Sequence, residues 1–478
     1  MNRKNSSRHI GLQLGATALI LIGMSSMVQA AIKLSNQTVQ LQIGQRRPNV
    51  IYILADDMGI GDLGAYGQSQ IETPNLDKMA AEGIRFTQHY SGDHVCGPTR
   101  GSLLTGQHTG HAWIRGNPGQ SVTWNGPGDP PLRDEDVTIA EIFKSAGYAT
   151  ACIGKWGLGS VGTTGHPNRQ GFDYFYGYQT HVDAHTYYPA NLYRNTQQVP
   201  TNGVYTHDLF AEDVLNYIHE HKNTPFFIYL PYTIPHGPFV VPSDEPYSSK
   251  PWSQSEKNYA AMITRMDGDI GEMISLLKQL GIDEDTIVFF SSDNGAATGS
   301  ATINLFSSTA GLRGRKRAMY EGGIRTPLIV RWPGKIAAGI VSDHVSAHWD
   351  MFPTFADLTG VKAPKGKWPD GTEQDTDGIS LLPTLLGQEQ LQEKHDHLYW
   401  EWSRSDGDFP QQAVLKDQWK LIRFLGSNPR SELYNLENDI GETNDVAGQN
   451  PTIVAQLHQI MDSEHVYSPQ FPMPLIDP

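Results

Sequence analysis

The chain is short of cysteine, of positive charge and of long apolar runs. Two cysteines, Cys96 and Cys152, stand in 478 residues. One disulfide is therefore the most the chain can form, and in an oxidising compartment a Cys96–Cys152 bond is the pairing to weigh. Lys and Arg number 36 against 51 Asp and Glu, a net charge of −15. That balance argues against nucleic acid or an anionic membrane surface as a partner. Any anion pocket has to be locally basic against the sign of the whole. After the first thirty residues no apolar run is long enough to cross a bilayer, and no 20–50-residue repeat or low-complexity tract is evident. The length suits a large core and two domains or subdomains.

Residues 1–30 read as a secretory signal: Arg3, Lys4 and Arg8, then the apolar run Gly15–Met24, then Val28-Gln29-Ala30 as small residues at the cleavage positions. The alternative is an anchor retained at the N-terminus. No cysteine follows the apolar run, which argues against a bacterial lipid anchor. The expected mature protein is exported, periplasmic or secreted, with no stable membrane span. A polar linker, 31–47, leads to a first domain expected over 48–385. Crowding of Pro, Lys, Asp and Gly near 365–390 puts a boundary there, with a smaller α+β subdomain over 386–478.

The run Asn49–Leu54 is apolar and β-branched, the pattern of a strand buried on both faces in a parallel sheet. It ends in Ala55-Asp56-Asp57. Thr286–Ser292 repeats the pattern and ends in Asp293-Asn294. Paired in one sheet, these strands would bring Asp56, Asp57, Asp293 and Asn294 together at their carboxyl ends, where open α/β sheets place ligands. Oxygen donors without imidazole suit a hard cation, Ca²⁺ before Mg²⁺. Phe226–Leu230 is a further buried strand, running toward His236. Helices are expected over Thr73–Gly83, Val137–Ala146 and Ser255–Leu280, the last with its methionines in the core. Gly116–Pro131 is expected as loop, and Arg169–Arg194, aromatic and Gly-rich, as loops walling a pocket that suits a sugar ring. Strand runs at 398–402, 412–415, 419–424 and 432–436 with a helix over about 451–463 read as a small antiparallel sheet and one packed helix.

The segment Cys96-Gly97-Pro98-Thr99-Arg100-Gly101-Ser102-Leu103-Leu104-Thr105-Gly106 organises the rest. A helix beginning near Pro98 would place Cys96 just before an N-terminus that favours anions, with Arg100 about one turn in. C-x-P-[ST]-R-x-x-x-L-T-G resembles the signature of the type I sulfatases of the alkaline phosphatase superfamily, and every defined position is met. The resemblance runs from about Pro48 to Gly441. It implies an α/β fold, a large mixed, mostly parallel sheet flanked by helices, with the C-terminal antiparallel sheet as a subdomain. It implies oxidation of Cys96 to Cα-formylglycine by a formylglycine-generating or anaerobic maturation enzyme. It also implies Ca²⁺ on Asp56, Asp57, Asp293, Asn294 and the residue-96 side chain.

Three further segments carry the resemblance. Gly154-Lys155-Trp156-Gly157-Leu158-Gly159 is similar to a Gly-Lys-Trp-His-Leu-Gly segment, so Lys155 takes the role of contacting sulfate. Gly157, however, stands where the family has the histidine that supports the formylglycine hydrate. His185 is the first candidate to replace it and His181 the second. His236 matches a histidine placed on the sulfate and leaving group, and Lys316 a second active-site lysine. His111, His181 and Arg169 are candidates for substrate contact.

The activity implied is hydrolysis of a sulfate monoester, on a carbohydrate before an aryl group. Cys96, Arg100, Lys155, His185, His236 and Lys316 would carry it. Two alternatives stand beside it: a phosphate mono- or diester hydrolase of the same superfamily, and a calcium-dependent glycan-binding protein held by a Cys96–Cys152 disulfide.

Overall fold

The computed structural model describes residues 47–477 apart from 118–123, 125, 127, 363–364, 368–370 and 404–408. The expected signal segment, nearly all of the linker and part of the Gly116–Pro131 loop lie outside the described residues. From Pro48 onward the chain forms one compact unit.

Its centre is a sheet of 11 strands among the described residues. In chain order they are β1 (Asn49–Ala55), β2 (Ile84–Tyr90), β3 (Ala149–Lys155), β4 (Tyr174–Tyr178), β5 (Asn191–Arg194), β6 (Gln197–Pro200), β7 (Phe226–Pro231), β8 (Thr286–Ser292), β9 (Arg325–Arg331), β10 (Ile340–Ser342) and β11 (Ser346–Ala347). The order across the sheet is β10-β2-β9-β8-β1-β7-β3-β4-β5-β6, with β11 also on β2. The middle run, β8 through β1, β7 and β3 to β4, is parallel. β9 is antiparallel to β8, and β5 to β4. The expected pairing of the two acidic-ended strands is realised, with Ala55 opposite Ser292.

Both faces of this middle run are covered, which is why its strands are apolar without alternation. One face buries Ile51, Ile53, Ile153, Ile228, Leu230, Val288 and Phe290 against the Thr206–His221 and Gln254–Gln279 helices. Met262, Met266 and Met273 sit in that core. On the other face Tyr52 stacks on Phe289, and Tyr52, Phe227 and Phe289 meet Phe143 or Phe355 edge-on, tilted or stacked.

A separate antiparallel sheet joins Leu398–Trp402, Gln411–Lys416, Trp419–Phe424 and Arg430–Asn435. One face buries Trp400, Trp402, Ile422 and Phe424 against Tyr90, Val95, Ile324 and Trp349. Its other face receives Leu457 and Met461 of the Pro451–Glu464 helix.

The structure corrects two local expectations and adds elements that the sequence did not announce. The helix of the cysteine segment starts at Cys96 itself and runs to Thr105, capped by Gly106 in the left-handed region. Residues 169–194 are not loop throughout: β4 and β5 lie there. The 16-residue helix Thr206–His221 also went unanticipated, as did β2, β9 and the Met351–Thr359 helix.

Candidate active site

Parallel strands end on one edge, and β1, β8, β3 and β7 deliver their next residues there. β1 gives Asp56 and Asp57, β8 gives Asp293 and Asn294, and β3 ends on Lys155. The turn after β7 gives His236. Gly154 lets β3 close on its neighbour: a Cβ there would stand 2.1 Å from the carbonyl oxygen of Pro231.

Asp56 Oδ2 is 2.6 Å from Lys155 Nζ. Asp57 Oδ1 is 2.6 Å from Lys316 Nζ and accepts a hydrogen bond from Asn294 Nδ2 at 2.8 Å, while its Oδ2 is 3.3 Å from His236 Nε2. Asp57 itself is held at φ 66°, in the left-handed region that costs a non-glycine residue energy. Its backbone N–H donates to Asp293 Oδ1 at 3.0 Å. Arg100 is fully buried, one turn into its helix. It donates to Asp293 Oδ2 at 2.8 Å and to the Lys155 carbonyl at 3.0 Å.

Three acidic side chains thus meet three cationic ones out of water. Burial works against ionising Asp56, yet Lys155, His236, Arg100 and Lys316 hold it well below the usual carboxylate range. Asp293 goes the other way: burial and the Asp56 charge push it well up in spite of Arg100. Burial also disfavours a thiolate at Cys96, but Lys155, Lys316 and His181 hold the thiol well below its ordinary range.

Two buried oxygens are left over. Asp56 Oδ1 and Asn294 Oδ1 have no hydrogen-bond partner among the described residues. Unsatisfied buried acceptors call for an explanation, and here they stand beside further carboxylates. Ligand atoms of Asp56, Cys96 and Asp293 lie within 4.8 Å of one another, and so do those of Asp56, Asp57 and His236. An oxygen-rich donor set of this kind fits a hard divalent cation.

The profile of the family described as Sulfatase matches residues 48–361. The chain belongs to the sulfatase family. A second profile, described as N-sulphoglucosamine sulphohydrolase, C-terminal, matches residues 314–466 of this sulfatase. N-acetylgalactosamine-6-sulfatase of Rattus norvegicus is 34% identical over 369 residues, covering 71% of this chain and 66% of that protein. N-acetylgalactosamine-6-O-sulfatase of Bacteroides thetaiotaomicron is 29% identical over 90% of this chain and 95% of that protein. Among solved structures, Ps i-CgsB in complex with k-i-k-neocarrahexaose superposes with a TM-score of 0.76 at 26% identity, covering 90% of this chain and 96% of that one. The chain is a sulfuric ester hydrolase by this kinship.

Of the residues singled out in the sequence, this sulfatase gathers Asp56, Asp57, Cys96, Arg100, Lys155, His236, Asp293, Asn294 and Lys316 at one place. His181 joins them beside Cys96. His185, the first candidate for the vacated histidine position, lies instead flat on His236, ring centroids 4.2 Å apart at 8°. His111 is in a separate, partly buried group with His108, Asp377 and Glu464. Arg169 is about half exposed and paired with Asp134 at 2.8 Å. Cys96 and Cys152 are both free, which overturns the disulfide reading. Cys152 is an interior residue of β3, as its apolar surroundings imply.

Two residues of the site escaped the sequence reading. Asn117 Oδ1 accepts the Gly97 N–H at 2.9 Å, with Cys96 Sγ 3.9 Å away. Asp129 holds His181. Both lie in the Gly- and Pro-rich stretch, where no periodicity marks a residue as inward.

Proposed function

We propose that this sulfatase hydrolyses a sulfate monoester on a carbohydrate, using Cys96 as Cα-formylglycine and a Ca²⁺ ion on Asp56, Asp57, Asp293, Asn294 and the residue-96 side chain. The observation that carries the reading is the pair of unpartnered buried oxygens, Asp56 Oδ1 and Asn294 Oδ1, beside a buried cysteine at the head of a helix. A carboxylate and an amide oxygen with no hydrogen-bond partner among the described residues, set against Lys155 and Lys316, make a place for a cation and a sulfate together.

The ion, when bound, supplies positive charge to the sulfate oxygens. The oxidised residue 96, as its hydrate, supplies two hydroxyls on one carbon, one to attack sulfur and one to expel sulfate afterwards. Lys155 and Lys316 bind sulfate oxygens and take up charge as it develops. Asp293 is the base nearest Arg100, which fixes its carboxylate and so its direction. His236 Nδ1 bonds to the Gly237 carbonyl, and Nε2, 3.3 Å from Asp57 Oδ2, is the nitrogen that would carry a proton to the departing oxygen, a contribution of about 10²–10⁴ in rate. The names of the rat and Bacteroides relatives make N-acetylgalactosamine 6-sulfate the first substrate to test.

Cys96→Ser in enzyme made with its maturation system is expected to lose multiple turnover and keep the bound metal. Wild-type turnover by that variant sinks the reading, as does a residue-96 peptide that keeps its thiol in active enzyme. Exhaustive chelation is expected to abolish activity, and calcium to restore it.

A further inference from the structure

We propose that His181, oriented by Asp129, is a catalytic residue acting on the residue-96 side chain, admitted there by the missing side chain of Gly157. The inference rests on the formylglycine reading above and adds a residue from a different strand end.

The geometry starts from neighbouring strands. β3 and β4 are parallel partners, with Lys155 opposite Tyr178. The pairing continues beyond the strands: Trp156 N–H donates to the Tyr178 carbonyl at 3.0 Å and Gly157 N–H to the Gln179 carbonyl at 3.1 Å. Residues 157 and 181 therefore leave the sheet side by side. Gly157 is at φ 80°, and a Cβ on it would stand 2.2 Å from His181 Cε1 and 2.5 Å from Nδ1. The imidazole occupies the volume that a side chain at 157 would need.

The ring is aimed as well as accommodated. Asp129 Oδ2 takes both the His181 backbone N–H, at 2.8 Å, and Nδ1, at 2.9 Å. A proton on Nδ1 leaves Nε2 as a lone pair. Nε2 is buried and has no well-formed hydrogen bond among the described residues, and the side chain it faces is Cys96. A base held by a carboxylate and pointed at the nucleophile is the arrangement that general-base catalysis requires.

Its step is the release of sulfate. After transfer, the residue-96 carbon carries one hydroxyl and one oxygen bonded to sulfur. Nε2 takes the hydroxyl proton, and the O–H electron pair becomes the second bond of the aldehyde. The carbon–oxygen bond to sulfate breaks, and sulfate departs with that pair. No oxidant or reductant is consumed.

The test uses matured full-length enzyme, with aryl sulfate or N-acetylgalactosamine 6-sulfate as the probe. His181→Ala is expected to release one equivalent of the alcohol and then stall, lowering steady turnover by about 10²–10⁴. Acid-quenched during turnover, its residue-96 peptide should carry the mass of an added sulfuryl group; the wild-type peptide should not. Asp129→Asn, which keeps the shape, should show the same adduct with a smaller rate loss, and imidazole should speed its disappearance from His181→Ala. Wild-type turnover by His181→Ala, or lost activity without an adduct in either folded variant, overturns the assignment. A wild-type peptide that keeps its thiol overturns the formylglycine reading instead, so the two failures differ.

Discussion

At the scale of single residues, the site is built from side chains that have no freedom left. Asp57 touches Lys316, Asn294 and His236 at once from a left-handed backbone. Strain of this kind persists only where the surroundings over-determine it. The His185–His236 stack divides two histidines that the sequence alone treats alike. His236 reaches Asp57 through Nε2, whereas His185 offers a flat face. On the proposed chemistry His236→Ala should lower kcat by about 10²–10⁴. His185→Ala should cost roughly tenfold, through loss of a stack worth about 0.5–1.5 kcal/mol. Steady-state kinetics of the two variants side by side decides it; equal losses would give both rings the same role.

At the scale of elements, strand ends bring the active groups together and a second sheet fixes one of the loops between them. Lys420, on the strand Trp419–Phe424, reaches Glu321 at 2.8 Å and Glu442 at 3.0 Å, all three out of water. Glu321 opens the Glu321–Ile324 turn of helix five residues after Lys316. Lys420→Met would leave buried Glu442 without its cation and Glu321 with Arg325 alone among the described residues, a loss of about 3–5 kcal/mol. Urea unfolding should register it, and an unchanged midpoint would contradict it. Elements of this kind also set what the sequence could reveal. Asn49–Ala55 and Thr286–Ser292 were legible because strands covered on both faces must be apolar throughout, and their acidic ends then fall together. β4 was not legible, because Tyr174–Tyr178 is aromatic without alternation and reads like pocket wall. The Thr206–His221 helix buries Phe210, Val214, Tyr217 and Ile218 at helical spacing, but its N-cap, Tyr205, gives no capping side chain. At the site, the motif residues were legible because their types carry the chemistry. His181 stood second to His185 for the vacated position, because only the register of β3 on β4 sets it beside Gly157.

At the scale of the whole molecule, the C-terminal sheet is tied back to the loops around the site through buried charge. Glu401 accepts from Arg115 at 2.6 Å and lies 2.7 Å from His465 Nδ1. Burial opposes its ionisation, but Arg115 and His465 bring it down to about 2 from an ordinary 4.5. An acid lowered by folding contributes stability that is whole above its unfolded value and is lost as pH falls through the folded one. The contribution is therefore complete above about pH 4.5 and drains away toward pH 2. Melting temperatures of wild type and Glu401→Gln should differ most above that window and converge within it. A gap that stays constant with pH would remove Glu401 from the acid response. One last property belongs to the finished fold as a whole. Cys96 is 3% exposed, beneath groups contributed by residues as far along the chain as Lys316. On the proposed chemistry, an enzyme that oxidises this thiol would have to reach it before the fold closes, so the fraction of active molecules would be set by a race between modification and folding.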